Sequence, residues 1–447
     1  MDRETAEPRV DAIPGPRARE LVDRHHEVAA PSTYVFDFVW DRSADAAGPF
    51  CTDVDGNVLL DFTSHVAAAP LGYDNPHVLD RLREFDLVDP LKFAGQDFYV
   101  GGDALGDDLP DPAGLMERLV DLTADYGLDT VFLSNSGAEA VENAVKIAHD
   151  HARGAPRGVT FEGAFHGRTL GALSLNRSKA VHRRRYPEVP GVFDVPFCTD
   201  RDCTPATCDC GFFLDGGDTS RLREKLHPVR GNVDPDEVAY VIVEPIQGEG
   251  GYRIPSDAFA AELRALVEAH DLTLIVDEIQ SGLGRTGEWW ASDHWDLDPD
   301  VVCTAKALRV GATVASREVF PDERSRLSST WGGGDVLGAA VGALTIDAID
   351  EHDLMDNAVA RGRQFVETIR DADPDAVEDV RGKGLMLAVD LPDRDRRDAV
   401  QTAAFERGLL LLGCGTRTLR ILPPLDVRPR EIELGCDLLL SAIADAT

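Results

Sequence analysis

Asp277 and Lys306 are the residues whose types and setting point most directly to chemistry. The apolar run 272–276, LTLIV, ends in Asp277-Glu278-Ile279-Gln280 and then breaks into Ser-Gly-Leu-Gly. A short β-branched run bounded by polar and turn residues reads as a buried strand of a parallel sheet. Acids at the carboxyl end of such a strand stand where open α/β sheets bind ligands. A second apolar run, Val301-Val302-Cys303, delivers Lys306. Lysine is scarce here: of 45 basic residues only 6 are Lys, at 92, 146, 179, 225, 306 and 383. Arginine keeps its proton, whereas a desolvated lysine can lose it and form a Schiff base.

A strand-end carboxylate with a Schiff-base lysine is the pair that pyridoxal phosphate requires. The acid keeps the pyridine nitrogen protonated, so the ring serves as an electron sink, and the lysine holds the aldehyde. The same residues also read as a buried Asp capping a turn and an ordinary surface Lys. Other stretches bear on the choice. SNSGAEA opens a helix after the strand TVFL, and small residues there expose N–H groups to an anion. FEGAFHGRT follows the short strand Gly158–Phe161, and VAYVIVEPIQGEGG is a buried strand that ends in Glu244. Taken alone, these are a helix cap, a core aromatic and loop acids.

DEIQSGLGRTG, with the lysine 29 positions after its first Asp, resembles the signature of class III (ω-amino acid) aminotransferases of PLP fold type I. The resemblance covers residues 14–445. It implies Asp277 on the pyridine nitrogen, Gln280 on the ring hydroxyl, and Lys306 as the Schiff-base lysine. Ser136, Gly137 and Ala138 match the phosphate cradle, and Phe165 the aromatic stacked on the ring. His166, Glu244 and Ile279 fall in the cofactor's surroundings. Arg168 would grip a substrate carboxylate, a bidentate task that suits guanidinium. Glu249 would act as a switch, pairing with Arg420 of LRILPPL and releasing it for α-carboxylates. The loop TSHVAAAPLGYDNP would line the substrate pocket, with Val66 where ornithine-specific members carry tyrosine. SRLSSTWGGGD would cross a dimer interface, so that Thr330 reaches the phosphate in the partner's site and the enzyme is an obligate homodimer.

The implied fold is α/β: a large domain with a mostly parallel seven-stranded sheet, and a smaller α/β domain. Residues 1–60 form an N-terminal segment packing with the small domain, 61–335 the PLP-binding domain, and 336–447 the C-terminal small domain. The implied reaction moves a terminal amino group to 2-oxoglutarate, with L-lysine and 4-aminobutyrate the leading donors and ornithine third. Trp331 and KALRVGATVAS look most like lysine 6-aminotransferases, the latter departing from the family's usual glycine-rich pattern after the lysine. The rivals are an amino acid racemase or aminomutase on the same scaffold, and a non-catalytic PLP-binding protein. A nicotinamide dehydrogenase is disfavoured because no G-x-G-x-x-G follows a strand.

Composition bounds the partners. A net charge of -35 repels nucleic acid and anionic membranes. Acids spread along the chain with almost no Lys fit a surface kept soluble in concentrated salt, and hence a halophile. No apolar run approaches the ~20 residues of a membrane span. MDRETAEPRVDAIPGP lacks an apolar signal core and reads as a frayed acidic leader, so a cytoplasmic protein is expected. No metal is assigned to the catalytic site. Cys198, Cys203, Cys208 and Cys210 crowd into CTDRDCTPATCDC, where a structural metal, reduced thiols and a disulfide all remain open. Cys51, Cys303, Cys414 and Cys436 sit in apolar settings and read as small core residues.

Overall fold

A computed structural model describes residues 1–32, 37–83, 110–214, 217, 219–328 and 335–446. The chain forms two compact units, Met1–Leu79 with Asp353–Thr447, and Asp80–His352. No helix among the described residues is long and apolar enough to cross a membrane.

The first unit begins with a hairpin that turns at Asp55-Gly56-Asn57, where turn-forming residues interrupt an alternating pattern: β1 (Phe50–Thr52) pairs antiparallel with β2 (Val58–Asp61). The second unit holds seven strands: β3 (Thr130–Ser134), β4 (Arg157–Phe161), β5 (Val192–Val195), β6 (Val238–Val243), β7 (Thr273–Asp277), β8 (Val301–Thr304) and β9 (Gly311–Ala315). They form one sheet in the order β3-β9-β8-β7-β6-β4-β5. All neighbours are parallel except the pairs made by β9. Every residue of β6, β7, β8 and β9 is buried, as central strands covered on both faces must be. Their Val, Ile and Leu side chains each contribute about 1.5–3 kcal/mol by leaving water.

The helix Gly137–His151 lays Ala140, Val141, Ala144, Ile147 and Ala148 on this sheet. The helix Asp257–His270 is the crossover between β6 and β7; its Ser256 cap accepts from Phe259 N, and Phe259, Ala260, Leu263 and Leu266 are buried. The amphipathic stretch 113–126 divides at Thr123 into the helix Pro112–Leu122 and a 3-10 turn, Ala124–Tyr126.

The first unit resumes with β10 (Asp379–Lys383), β11 (Met386–Asp390), β12 (Leu409–Leu410), β13 (Leu412–Cys414) and β14 (Thr418–Ile421). β12 adds parallel to β2, and the others form a sheet ordered β10-β11-β14-β13. The four scattered cysteines are buried as expected. The loop at 63–76 contains a feature that composition does not show. Ser64, His65, Val66 and Ala67 are all left-handed, with φ of 42°, 51°, 62° and 67°. Such a conformation costs roughly 1–2 kcal/mol per residue, so contacts must hold it. Ser64 Oγ donates to Leu422 O at 2.6 Å, and the His65 ring stacks on Trp40 with centroids 4.7 Å apart.

The N-terminus is not a frayed leader. Arg3 donates Nε and Nη2 to the two carboxylate oxygens of Glu431, at 2.8 and 2.7 Å, and Nη1 to Asp426 at 2.5 Å. The Glu431 side chain is fully buried and the Arg3 side chain 13 % exposed. Arg3 is joined by other contacts, Arg9 pairing with Val58 and Arg430 donating to Ala6 O, and an acid-rich composition shows none of these partners. Removing one partner of a buried ion pair leaves a buried charge, at about 3–5 kcal/mol. Arg3→Ala is therefore expected to lower the denaturation midpoint by that much free energy in urea melts. A midpoint equal to wild type would mean that the segment is only loosely attached.

Candidate active site

Three parallel neighbours of the second unit, β6, β7 and β8, end side by side. Glu244 follows β6, Asp277 is the last residue of β7, and its register partner on β8 is Cys303, three residues before Lys306. Lys306 opens a single 3-10 turn, Lys306–Leu308. The acid and the lysine thus stand at the carboxyl ends of adjacent strands.

Asp277 is 4 % exposed. Its Oδ2 lies 2.8 Å from Nδ1 of the fully buried His166 side chain, and its Oδ1 accepts from Ile279 N at 3.1 Å. His166 is fixed in turn, since its backbone N–H donates to Asn176 Oδ1 at 2.6 Å. Asn176 Nδ2 donates back to Gly167 O at 2.7 Å. The adjacent acid has a different fate. Glu278 accepts from Ser281 Oγ, Ser292 Oγ and Ser292 N, so it is a structural carboxylate. Burial raises its pKa in spite of those bonds.

Glu244 ties two loops together. Its Oε1 accepts from Phe165 N and its Oε2 from Gly248 N, each at 2.9 Å. The Phe165 ring meets His182 edge-on at 5.5 Å, and the guanidinium carbon of exposed Arg168 lies 5.9 Å from the Phe165 centroid. Gln280 Oε1 accepts from Tyr252 OH at 2.6 Å, which leaves its amide N–H groups to offer elsewhere.

Ser136 caps the helix Gly137–His151, its Oγ accepting from Glu139 N at 3.3 Å. Capping and anion binding are compatible, because the first turn retains further N–H groups. Gly137 is required by close packing: a Cβ there would lie 2.7 Å from Ile279 Cδ1. At Gly167, φ is +129° and a Cβ would meet Ala138 Cβ at 2.6 Å. Ile279 and the 165–167 loop are thereby held against the helix N-terminus.

Asp277, His166, Glu244, Phe165, Ile279, Gly137 and Ala138 are thus brought together through these contacts. Lys306 stands on the neighbouring strand, and Gln280 follows Ile279 on the same loop. Glu249 belongs to this unit and pairs with Lys179, whose Nζ is 2.5 Å from its Oε1. Arg420, on β14 opposite Ala388 and Leu412, belongs to the other unit, as does Val66. Thr330 and Trp331 lie outside the described residues. Sequence reasoning missed Asn176, Tyr252 and Lys179. The scarcity that singled out Lys306 flags Lys179 equally; Asn176 and Tyr252 carry no such signal.

The residues fit pyridoxal phosphate. A buried acid backed by a histidine suits a protonated pyridine nitrogen, the 15-residue helix begins with a small-residue Gly-Ala turn whose first N–H groups can meet a phosphate, and a lysine stands one strand away.

Burial raises the pKa of Glu244 from 4.5 to about 7, His166 and the two backbone N–H groups partly opposing and Asp277 adding to the rise. Folded Glu244 therefore keeps a proton between those values that the unfolded chain has released, so its contribution to stability falls as pH rises from 4.5 towards 7. The full effect is on the order of 3 kcal/mol, at ~1.4 kcal/mol per pH unit. Glu244→Gln is expected to flatten the stability profile of the protein between about pH 5 and 8. Identical slopes for variant and wild type would show that Glu244 does not titrate there.

Residues 38–443 match the family model described as aminotransferase class-III. An acetylornithine aminotransferase of Methanopyrus kandleri is 34% identical over 96% of this chain and 98% of its own length. An alanine/serine racemase of Pyrococcus horikoshii is 31% identical over 97% and 91%. Among solved structures, the lysine aminotransferase of M. tuberculosis superposes with a TM-score of 0.80 at 31% identity, over 95% of this chain and 99% of that one.

Proposed function

Because the chain belongs to the class III aminotransferase family, whose cofactor is pyridoxal 5′-phosphate, we propose that it moves the terminal amino group of an ω-amino acid to 2-oxoglutarate. L-lysine is the first donor to test, 4-aminobutyrate the second and ornithine the third. The observation that carries the reading is the pairing of Asp277 with Cys303 in adjacent parallel strands, which sets the acid beside the segment that presents Lys306.

When bound, the cofactor supplies an electrophilic carbon and an electron sink. Lys306 would hold that carbon and, once displaced by the donor's amine, take the proton from the donor's amine-bearing carbon. Asp277, oriented by His166, would keep the pyridine nitrogen protonated, and Gln280 would donate to the ring hydroxyl. Ser136, Gly137 and Ala138 would bind the phosphate, with Thr330 of the partner subunit completing the site in a homodimer. Phe165 would cover the ring, and Arg168 beside it would receive a substrate carboxylate. Glu249 and Arg420 would distinguish the α-carboxylate of 2-oxoglutarate from the donor. The salt bridge to Lys179 gives Glu249 a cation partner of its own within the second unit.

The racemase relative favours a second reading, loss of chirality at an α-amino acid with no net transfer. Adding single amino acids to the yellow protein in concentrated KCl, without acceptor, separates the two. Conversion of the lysine-bound absorbance to the pyridoxamine form by L-lysine but not by 4-aminobutyrate is the expected result. Spectra unchanged by either donor, with an α-amino acid racemised, would sink the aminotransferase reading. Asp277→Asn is expected to lower kcat by at least about a hundredfold, the scale on which proton-transfer chemistry contributes. Lys306→Ala should bind the cofactor without the lysine-bound band; persistence of that band would move the anchor to another lysine.

A further inference from the structure

Four of the eight cysteines fall within thirteen residues, as C-x4-C-x4-C-x-C from Cys198 to Cys210. The fold gathers them. Cys203 Sγ is 4.0 Å from Cys210 Sγ, and Cys208 Sγ is 3.3 Å from it. The sulfurs of Cys198, Cys203 and Cys210 all lie within 4.8 Å of one another. Four thiolates around a zinc ion at about 2.3 Å form a tetrahedron whose edges are about 3.8 Å. The distances from Cys210 to Cys203 and to Cys208 bracket that edge and are far longer than a disulfide bond of about 2.05 Å, while Cys208 stands more than 4.8 Å from at least one of the other sulfurs and would be drawn in by the ion.

The surroundings also suit a closed metal centre. Cys198 and Cys203 are buried and Cys208 and Cys210 half-buried, so the cluster is shielded on one side. Phe213 N donates to Cys208 Sγ at 3.4 Å, the kind of backbone N–H bond that orients a thiolate ligand. Cys198 Sγ lies 3.4 Å from Ser256 Oγ, the cap of the helix Asp257–His270. Phe197 and Phe212, flanking the cluster in sequence, both pack on Phe259 in that helix's first turn, with centroids 4.9 and 4.5 Å apart. Between Cys198 and Cys210 no strand or helix forms; the segment consists of hydrogen-bonded turns at Asp200–Cys203 and Thr204–Thr207.

We propose that Cys198, Cys203, Cys208 and Cys210 bind one zinc ion as four thiolates, a structural site that fastens this segment to the helix leading into β7. All-sulfur tetrahedral ligation selects zinc or iron, and a site with no open position and no electron to carry suits zinc. The site takes no part in the reaction at Lys306.

The test is metal analysis of the pyridoxal-phosphate-loaded enzyme after dialysis against EDTA. One zinc per chain is expected, with sulfur alone in its first coordination shell by X-ray absorption. Titration with p-hydroxymercuribenzoate should release it and lower the Tm of the folded enzyme by several degrees. Cys208→Ser, at a half-buried ligand, should lose the zinc, and Cys436→Ser should keep it. Cys203→Ser could fail to fold, so the wild-type zinc content is the deciding measurement. A wild-type enzyme without zinc, one holding iron in its place, or a disulfide between any two of the four cysteines found by mass spectrometry would overturn the proposal.

Discussion

A carboxylate with 4 % of its surface in water cannot remain charged without partners. Asp277 has two, the His166 ring and the Ile279 N–H, and much of the second unit exists to supply them. Isolated burial of an acid raises its pKa until it neutralises. Glu244, at the end of the neighbouring strand β6, follows that tendency, its pKa raised chiefly by burial. The histidine is therefore a condition of the site, and its placement propagates outward. Asn176 holds its backbone, Glu244 holds its neighbour Phe165, and Gly167 closes the loop onto Ala138.

The sheet makes this economical. Parallel strands present all their carboxyl ends on one edge, so residues that follow β4, β6, β7 and β8 meet without any long-range bend of the chain. The first unit carries a constraint of another kind: four left-handed residues at 64–67, held by contacts that include Ser64 with Leu422 and the His65 ring with Trp40.

Much of this was legible in the sequence because it rests on short-range pattern. Continuous apolar runs gave the central strands, and their polar ends gave Glu244, Asp277 and the approach to Lys306. The turn at Asp55-Gly56-Asn57 gave the hairpin of β1 and β2. What escaped depends on partners far away in the chain. The anchoring of Arg3 needs Asp426 and Glu431, more than 400 positions distant, and no local period announces it. By residue type alone Glu278 and Asp277 are alike as neighbours in DEIQ, and the three serine donors around Glu278 are what mark it as a structural acid beside the candidate site acid. Tyr252 and Asn176 are likewise ordinary residues until the loops close. The left-handed turn was invisible because Ser-His-Val-Ala contains no glycine to advertise it.

The ion pair between Lys179 and Glu249 has a bearing on how an aldehyde finds its proper amine. Only an unprotonated amine attacks a carbonyl carbon, and the Lys179 nitrogen is engaged in an ion pair with a carboxylate oxygen 2.5 Å away. The 39 arginines cannot react in its stead. A chain of 447 residues thus offers an incoming aldehyde very few side-chain amines, and one of those few is already tied to an acid neighbour. On the proposed reading, the choice of amine is set as much by the lysines the chain lacks as by the one that follows β8.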